Sequence, residues 1–126
     1  MSENAVHIEL AGGRTTFTPG EPLSGHVTWR VEDQPVSAEL RLFWYTSGKG
    51  TQDVGIVETM TFAAPRPDDR RDFTLPLPRE PYSFSGTLIS LVWAIELIVE
   101  PGEHVARQEF VLSSTGREVV IGREGA

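Results

Sequence analysis

The stretch from Leu77 to Gly102 reads LPREPYSFSGTLISLVWAIELIVEPG, a proline-punctuated start that leads into a long apolar run. Proline lacks a backbone N–H and biases the preceding residue toward extended geometry, so Pro78–Pro81 is predicted to be neither helical nor part of a central strand. The run that follows alternates, with a large apolar residue at every second position from Ile89 to Val99. The stretch therefore predicts a crossing segment that carries the chain from one sheet into a buried strand of the next.

The two faces of this predicted strand differ in composition. One face is uniformly large and is assigned to the core: Ile89, Leu91, Trp93, Ile95, Leu97 and Val99. The other face is mixed, because Ser90, Ala94 and Glu96 are interspersed among larger apolar residues. Contiguous exposed apolar patches above roughly a few hundred Å² are uncommon on monomers. We therefore expect self-association, for example as a homodimer, through an edge strand or through Leu88, Val92 and Ile98.

The same alternation recurs along the rest of the chain, and helical spacing is almost absent. Turn residues separate about seven or eight predicted strands at intervals of about 8–12 residues, which is the pattern of an antiparallel sandwich. Besides the stretch above, the predicted strands are Ala5–Leu10, His26–Val31, Val36–Tyr45, Ile56–Phe62, Asp72–Leu77 and Val105–Leu112. Ser47–Gly55 is predicted to be a hairpin loop, and Ala64–Asp69 a loop rich in proline and charge.

Length and composition limit the number of domains, the kinds of site and the classes of partner that the chain can have. The 126 residues fit one domain, with a core over about residues 5–112 and a tail over residues 113–126. The absence of cysteine excludes disulfides and thiolate metal sites. The net charge of −7 argues against nucleic acid or an anionic membrane as the main partner.

The sequence also suggests a location. The first residues, MSENAVHIEL, have neither a basic n-region nor an apolar h-region, and the apolar run Leu88–Val99 is about half as long as a membrane-spanning helix. We therefore expect a cytoplasmic protein without membrane insertion. Arginine outnumbers lysine ten to one, a skew typical of a GC-rich genome that points to a bacterial source.

Two phrases of the sequence resemble those of arrestin-like domains. TFTPGEPLSGHVTW, from Thr16 to Trp29, is similar to an early phrase of that family, in which a proline-glycine-glutamate turn precedes a glycine that enters a strand. LPREPYSFSGTLISLVWAIELIVE, from Leu77 to Glu100, is similar to a later phrase, in which leucine-proline leads to a proline, a small residue, a phenylalanine and a strand with a central aromatic residue. The phrases lie in family order, and the resemblance covers roughly Val6 to Leu112.

The resemblance implies an all-β fold, an immunoglobulin-like antiparallel β-sandwich of the arrestin type. This chain resembles the first of the two domains that typical arrestins carry in tandem, and it is similar to the retromer and sporulation-control relatives of the fold. The family implies a non-catalytic adaptor or scaffold with a protein partner, whose identity the sequence does not give. The basic phosphate-sensing residues of visual-type arrestins have no clear counterparts here, so receptor binding is not carried over.

No catalytic, cofactor or metal site is predicted. The histidines His7, His26 and His104 are isolated, whereas a zinc site needs three or four converging ligands. The acidic residues around Pro101-Gly102 are typical of a charged hairpin turn. No serine lies in the context of a nucleophile elbow, and SGKG at Ser47–Gly50 lacks the full phosphate-loop pattern.

Aromatic residues and the tail complete the candidate site. Trp29, Trp44 and Trp93 fall on predicted core faces. Phe43 and Tyr45 fall at the alternate positions of their strand, which are predicted to face outward. Exposed rings can form a carbohydrate platform, so a small-ligand or carbohydrate-binding module is the alternative function.

In the tail, the strong β-propensity of Val119-Val120-Ile121 predicts a final strand on its own sheet or on a neighbouring subunit, the alternative being a frayed terminus. The predicted interaction surface comprises Phe43, Tyr45, Leu88, Val92, Ile98, Val119, Val120 and Ile121.

Overall fold

A computed structural model describes residues 4–48, 52–85, 89–113 and 119–120, and most of them lie in strands. The strands are β1 (Ala5–Leu10), β2 (Thr16–Phe17), β3 (Pro22–Arg30), β4 (Ser37–Gly48), β5 (Val54–Thr61), β6 (Asp68–Pro76), β7 (Phe84–Ser85), β8 (Ile89–Glu100), β9 (His104–Leu112) and β10 (Val119–Val120). The one helical element in these residues is a short 3-10 turn at Ala11–Gly13.

The strands form two sheets. The smaller sheet has the order β1-β3-β6 and is antiparallel. In the larger sheet β4 lies between β5 and β8, and the other side of β8 is shared by β7 and β9. Two short parallel pairings, β2 with β9 and β10 with β7, extend this sheet. The predicted all-β sandwich is confirmed.

The core between the sheets follows the alternation seen in the sequence. The described core-face residues of β8, from Leu91 to Val99, are buried, and Trp93 is 0% exposed. The predicted crossing segment is confirmed as well, because residues 77–83 lead from β6 of the smaller sheet to β7 of the larger one. The indole N–H of Trp93 donates a 2.6 Å hydrogen bond to the carbonyl of Pro81, which ties this segment to the core.

The predicted strand ends need correction. β6 begins at Asp68 rather than Asp72, because the backbone of the charged residues 68–71 pairs with β3 although their side chains are not apolar. The predicted loop Ser47–Gly55 is also shorter, since β4 continues to Gly48 and β5 begins at Val54. The N–H of Thr46 donates a 2.9 Å hydrogen bond to the carbonyl of Asp53 where the two strands meet.

The first arrestin-like phrase has a structural explanation. The Glu21 carboxylate accepts hydrogen bonds from the Thr18 N–H at 2.6 Å and from two Arg14 nitrogens at 2.9 and 3.0 Å, and it thereby closes the proline-glycine turn. These contacts lower the pKa of Glu21 to about 2, and the hydrogen bond from Arg14 is the largest cause. Further along, β1 passes so near Gly25 that a Cβ there would overlap the carbonyl oxygen of Glu9.

Candidate functional site

Four of the predicted surface residues lie on one face of the larger sheet. Cross-strand pairing sets Tyr45 beside Val92, Phe43 beside Ala94, and Ile98 beside Glu39. Their neighbours along β4 and β8 point into the core, so these side chains share the outer face. Tyr45, Val92 and Ile98 are each half-buried. The structure therefore brings together Phe43, Tyr45 and Val92, whereas Ile98 lies further along the same face, beyond the paired Arg41 and Glu96.

The other predicted surface residues lie apart from this group or outside the described residues. Val119 and Val120 form β10, which pairs with β7 at the start of β8. The prediction of a final strand is thus confirmed for these two residues, on the chain's own sheet. Leu88 and Ile121 lie outside the described residues.

Phe43 faces outward as predicted, yet it is only 7% exposed. The guanidinium of Arg107, from β9, covers it, with its central carbon 5.2 Å from the Phe43 ring centre and 5.5 Å from that of Tyr45. The two rings are stacked, with centres 6.1 Å apart. Glu96 of β8 holds Arg107 in place through a contact of 3.0 Å between Arg107 Nη2 and Glu96 Oε2. A cation over two aromatic faces, fixed by a carboxylate, is a stable arrangement.

Hydrogen bonding sets the proton chemistry of this cluster. The hydroxyl of Tyr45 donates a 2.6 Å hydrogen bond to Glu109 Oε2, and this contact, aided by partial burial, raises the pKa of Tyr45. The hydrogen bond to Glu96 likewise raises the pKa of Arg107. Both groups therefore keep their protons near neutral pH. Such a cluster is suited to recognition by hydrogen bonds, charge and ring contacts rather than to acid–base catalysis.

A shallow groove of about 280 Å³ runs beside this cluster. Phe43 and Tyr45 line it together with Arg107 and, on the side of β5, Val54 and Ile56. Val54 and Ile56 pair with Tyr45 and Phe43 across the β4–β5 ladder, so their side chains share the outer face. They are 61% and 60% exposed. The groove thus has an apolar wall that is open to solvent along the edge of the sheet.

Several of these residues were not singled out from the sequence. Arg107 and Glu109 alternate with buried Phe110 along β9, so their outward direction could have been predicted from the pattern. Their position over Phe43 and Tyr45 could not, because it depends on the pairing of β8 with β9. Val54 was missed because the sequence places it in a loop.

The three tryptophans face the core, as predicted. Trp29 and Trp93 are buried, and Trp44 is half-buried on the core face, where its ring lies over Gly55. His26 is 3.7 Å from the Glu9 carboxylate, and no group of three or more His, Asp or Glu side chains in the described residues could hold a metal ion. In the same part of the chain, no helix is long and apolar enough to cross a membrane.

Comparison with known proteins identifies the fold. No family model matches the sequence, and no curated protein matches it. Among solved structures, the chain is similar to Spo0M, a sporulation control protein from Bacillus subtilis, with a TM-score of 0.65 and 15% sequence identity. The match covers 89% of this chain and 50% of Spo0M, so the chain spans about half the length of that neighbour. At this identity the likeness shows the arrestin-type fold alone.

A second solved structure matches less well. It is the Pseudomonas fluorescens alkylpurine DNA glycosylase AlkC bound to DNA containing an abasic site analog, with a TM-score of 0.46 and 15% identity. The match covers 88% of this chain and 30% of AlkC. A similarity of this size has no bearing on function.

Proposed function

We propose that the chain is a non-catalytic protein-interaction or scaffold module that binds a protein partner through the outer face of its larger sheet. The observation that carries this proposal is the group of apolar side chains on that face, where Tyr45 lies between Val92 and the exposed Val54, and Phe43 pairs with the exposed Ile56. The similarity of fold to a sporulation control protein supports a regulatory or scaffold role in general, but it does not indicate in which cellular process this chain acts.

The composition of the face is that of a protein interface. Apolar and aromatic residues occupy its surface, and two ion pairs lie among them, Arg41 with Glu39 and Arg107 with Glu96, each with a 3.0 Å contact. Tyrosine and arginine are enriched among the residues that dominate binding energy, because each combines a large contact area with directed hydrogen bonds. The ion pairs add specificity, since a partner must match their pattern of charge.

A capture experiment with matched variants tests the proposal. Val92→Glu places a charge on this face beside Tyr45, and Thr74→Glu places the same charge on the outer side of the smaller sheet, where Thr74 is exposed. We expect a partner from the source cells to be retained by the unmodified chain and by Thr74→Glu, and to be lost from Val92→Glu. Circular dichroism confirms that both variants fold. Retention of the same proteins by all three chains would contradict the assignment of this face.

Binding of a small molecule is a second candidate, favoured by the groove of about 280 Å³ beside Tyr45 and Arg107. That volume is near the lower limit for ligand pockets, which is roughly 300 Å³. A carbohydrate would stack on an open ring face, whereas Arg107 covers the rings of Phe43 and Tyr45. A thermal-shift screen with glycans and aromatic acids tests this candidate, and a stabilising compound should lose its effect in Arg107→Ala.

A further inference from the structure

We infer that β5 is a docking edge, at which an extended segment of a partner protein, with alternating apolar residues and a basic residue opposite Glu58, adds as a further strand of the larger sheet. This inference rests on the proposed function and specifies how the partner is held. Strand addition of this kind derives affinity from main-chain hydrogen bonds and specificity from alternate side chains.

The first observation is that one side of β5 is open. Among the strands that the structure describes, β5 pairs with β4 alone. The backbone N–H and C=O groups along its other side therefore have no ladder partner in the described part of the chain. Such a row of groups is a template for another strand.

The second observation is the concentration of exposed apolar side chains on this strand. Of the six large hydrophobic residues that are exposed in the described chain, three belong to β5: Val54, Ile56 and Val57. The first two form the open wall of the groove, so alternate side chains of an added strand would lie beside them on the outer face. An added strand would thereby cover apolar surface that is now in contact with water.

The other sheet edges are better protected than β5. β6, the edge of the smaller sheet, begins with five consecutive charged residues, Asp68–Asp72, and ends at Pro76. β1 is in contact with β9 across the sandwich, and β2 covers the end of β9. In contrast, β5 contains neither proline nor lysine and has one charged residue, Glu58. Charge and proline are the usual means by which edge strands resist pairing.

An irregularity in β5 bends the ladder that an added strand can form. Leu42 pairs with Glu58 and the next residue, Phe43, pairs with Ile56, so Val57 is an extra residue with no partner on β4. A bulge of this kind bends the strand and increases its twist. The incoming segment would therefore follow this bend, with its alternating apolar residues beside Val54 and Ile56 and its basic residue opposite Glu58, beyond the bulge.

Charge selects the occupant. The chain carries a net charge of −7, so a second copy is repelled over long distances, whereas a basic segment is attracted. Glu58 is exposed and is the single charge along the strand, so a lysine or arginine opposite it would form a favourable cross-strand pair. These charges favour a basic segment of another protein over a second copy of this chain.

Backbone-modified peptides test the inference directly. A random peptide library displayed on phage is selected on the full chain, and a selected peptide is then synthesised in three forms: unmodified, N-methylated at every second residue, and N-methylated at the remaining residues. Because a strand pairs through the N–H groups of alternate residues, we expect one methylated form to lose at least about tenfold in affinity and the other to bind as the unmodified peptide does.

Variants of the chain locate the contact. Ile56→Lys should weaken binding of the unmodified peptide at least about tenfold, whereas Val105→Lys, an exposed position on β9 of the same face, should leave binding unchanged. Glu58→Gln should weaken a basic peptide by about threefold or more. Each position is exposed, so the fold tolerates the change.

Three results would overturn the inference: a selection that yields no peptide, equal affinities of the two methylated forms, or peptides that bind Ile56→Lys normally. A dimer of the chain that Ile56→Lys dissociates would also overturn it, because the occupant would then be a second copy. None of these results affects a natural partner that is captured by the unmodified chain and lost from Val92→Glu. The proposed function and the docking edge can therefore fail separately.

Discussion

Trp93 joins the core to the crossing segment, and two substitutions separate these contributions. Its side chain is fully buried, its ring centre lies 6.1 Å from that of Phe110, and its indole N–H donates to the carbonyl of Pro81. Trp93→Ala removes the ring and the hydrogen bond. Trp93→Phe removes the hydrogen bond and leaves most of the ring volume in place.

The magnitudes follow from burial. Truncation of a buried tryptophan to alanine costs about 3–5 kcal/mol, a large share of the roughly 5–15 kcal/mol that stabilises a domain. A buried hydrogen bond contributes about 1 kcal/mol, and the smaller cavity in Trp93→Phe adds about as much again, so this variant should lose about 2 kcal/mol. For a chain of this size, Trp93→Ala should lower the melting temperature by roughly 10–20 °C.

Urea unfolding followed by circular dichroism measures both losses, and Val36→Ala is the matched control. Val36 is 77% exposed, so its truncation should change the free energy of unfolding by less than about 0.5 kcal/mol. If Trp93→Ala melts within a few degrees of the unmodified chain, the strand register drawn from the alternation is wrong. If Trp93→Phe is as unstable as Trp93→Ala, ring packing is not the main contribution.

Four further predictions concern particular contacts. Asp69→Ala should lower the free energy of unfolding in urea by about 1.5–3 kcal/mol. The buried carboxylate of Asp69 accepts hydrogen bonds from the Arg71 side chain and from the backbone N–H groups of Arg66 and Arg70, and these are lost. Asp72→Ala, at an exposed position, should leave the free energy of unfolding unchanged. Because the pKa of Glu21 is lowered to about 2 from 4.5, its contribution to stability is complete above about pH 4.5 and is lost as the pH falls through 2; Glu21→Gln should reduce that part of the acid transition. Gly25→Ala should cost about 1–3 kcal/mol, since the new Cβ would overlap the Glu9 carbonyl, while Ser24→Ala next to it should have little effect. Sedimentation at high micromolar concentration tests the expected self-association, which Val92→Glu should weaken; a clean monomer would contradict it.

The alternation along β8 could be predicted from sequence because it is a local property. Every second residue from Leu91 to Val99 faces the core, and a strand fixes that direction whatever its neighbours are. The early start of β6 could not be predicted in this way. Its charged residues resemble a loop, yet backbone pairing with β3 needs no apolar side chain. Strand ends therefore depend on pairing partners that local composition does not reveal.

The candidate site likewise has features that the sequence predicts and features that it does not. Parity predicted that Phe43 and Tyr45 face outward, and the structure confirms their direction. Parity did not predict that Phe43 is covered, because the covering Arg107 lies on β9, which reaches Phe43 through the intervening strand β8. Exposure on a sheet depends on side chains from two strands away, so a sequence pattern alone predicts direction but not accessibility.

The residues that reveal the fold differ from those that we propose to bind a partner. Glu21 closes the first turn, Gly25 admits the close approach of β1, and Trp93 ties the crossing segment to the core, so both arrestin-like phrases are explained by folding. In contrast, Val54 and Ile56 are exposed on an edge strand outside both phrases, and core packing does not dictate their identity. Because function resides in the site rather than in the fold, substitutions along β5 should change what the chain binds without changing how it folds.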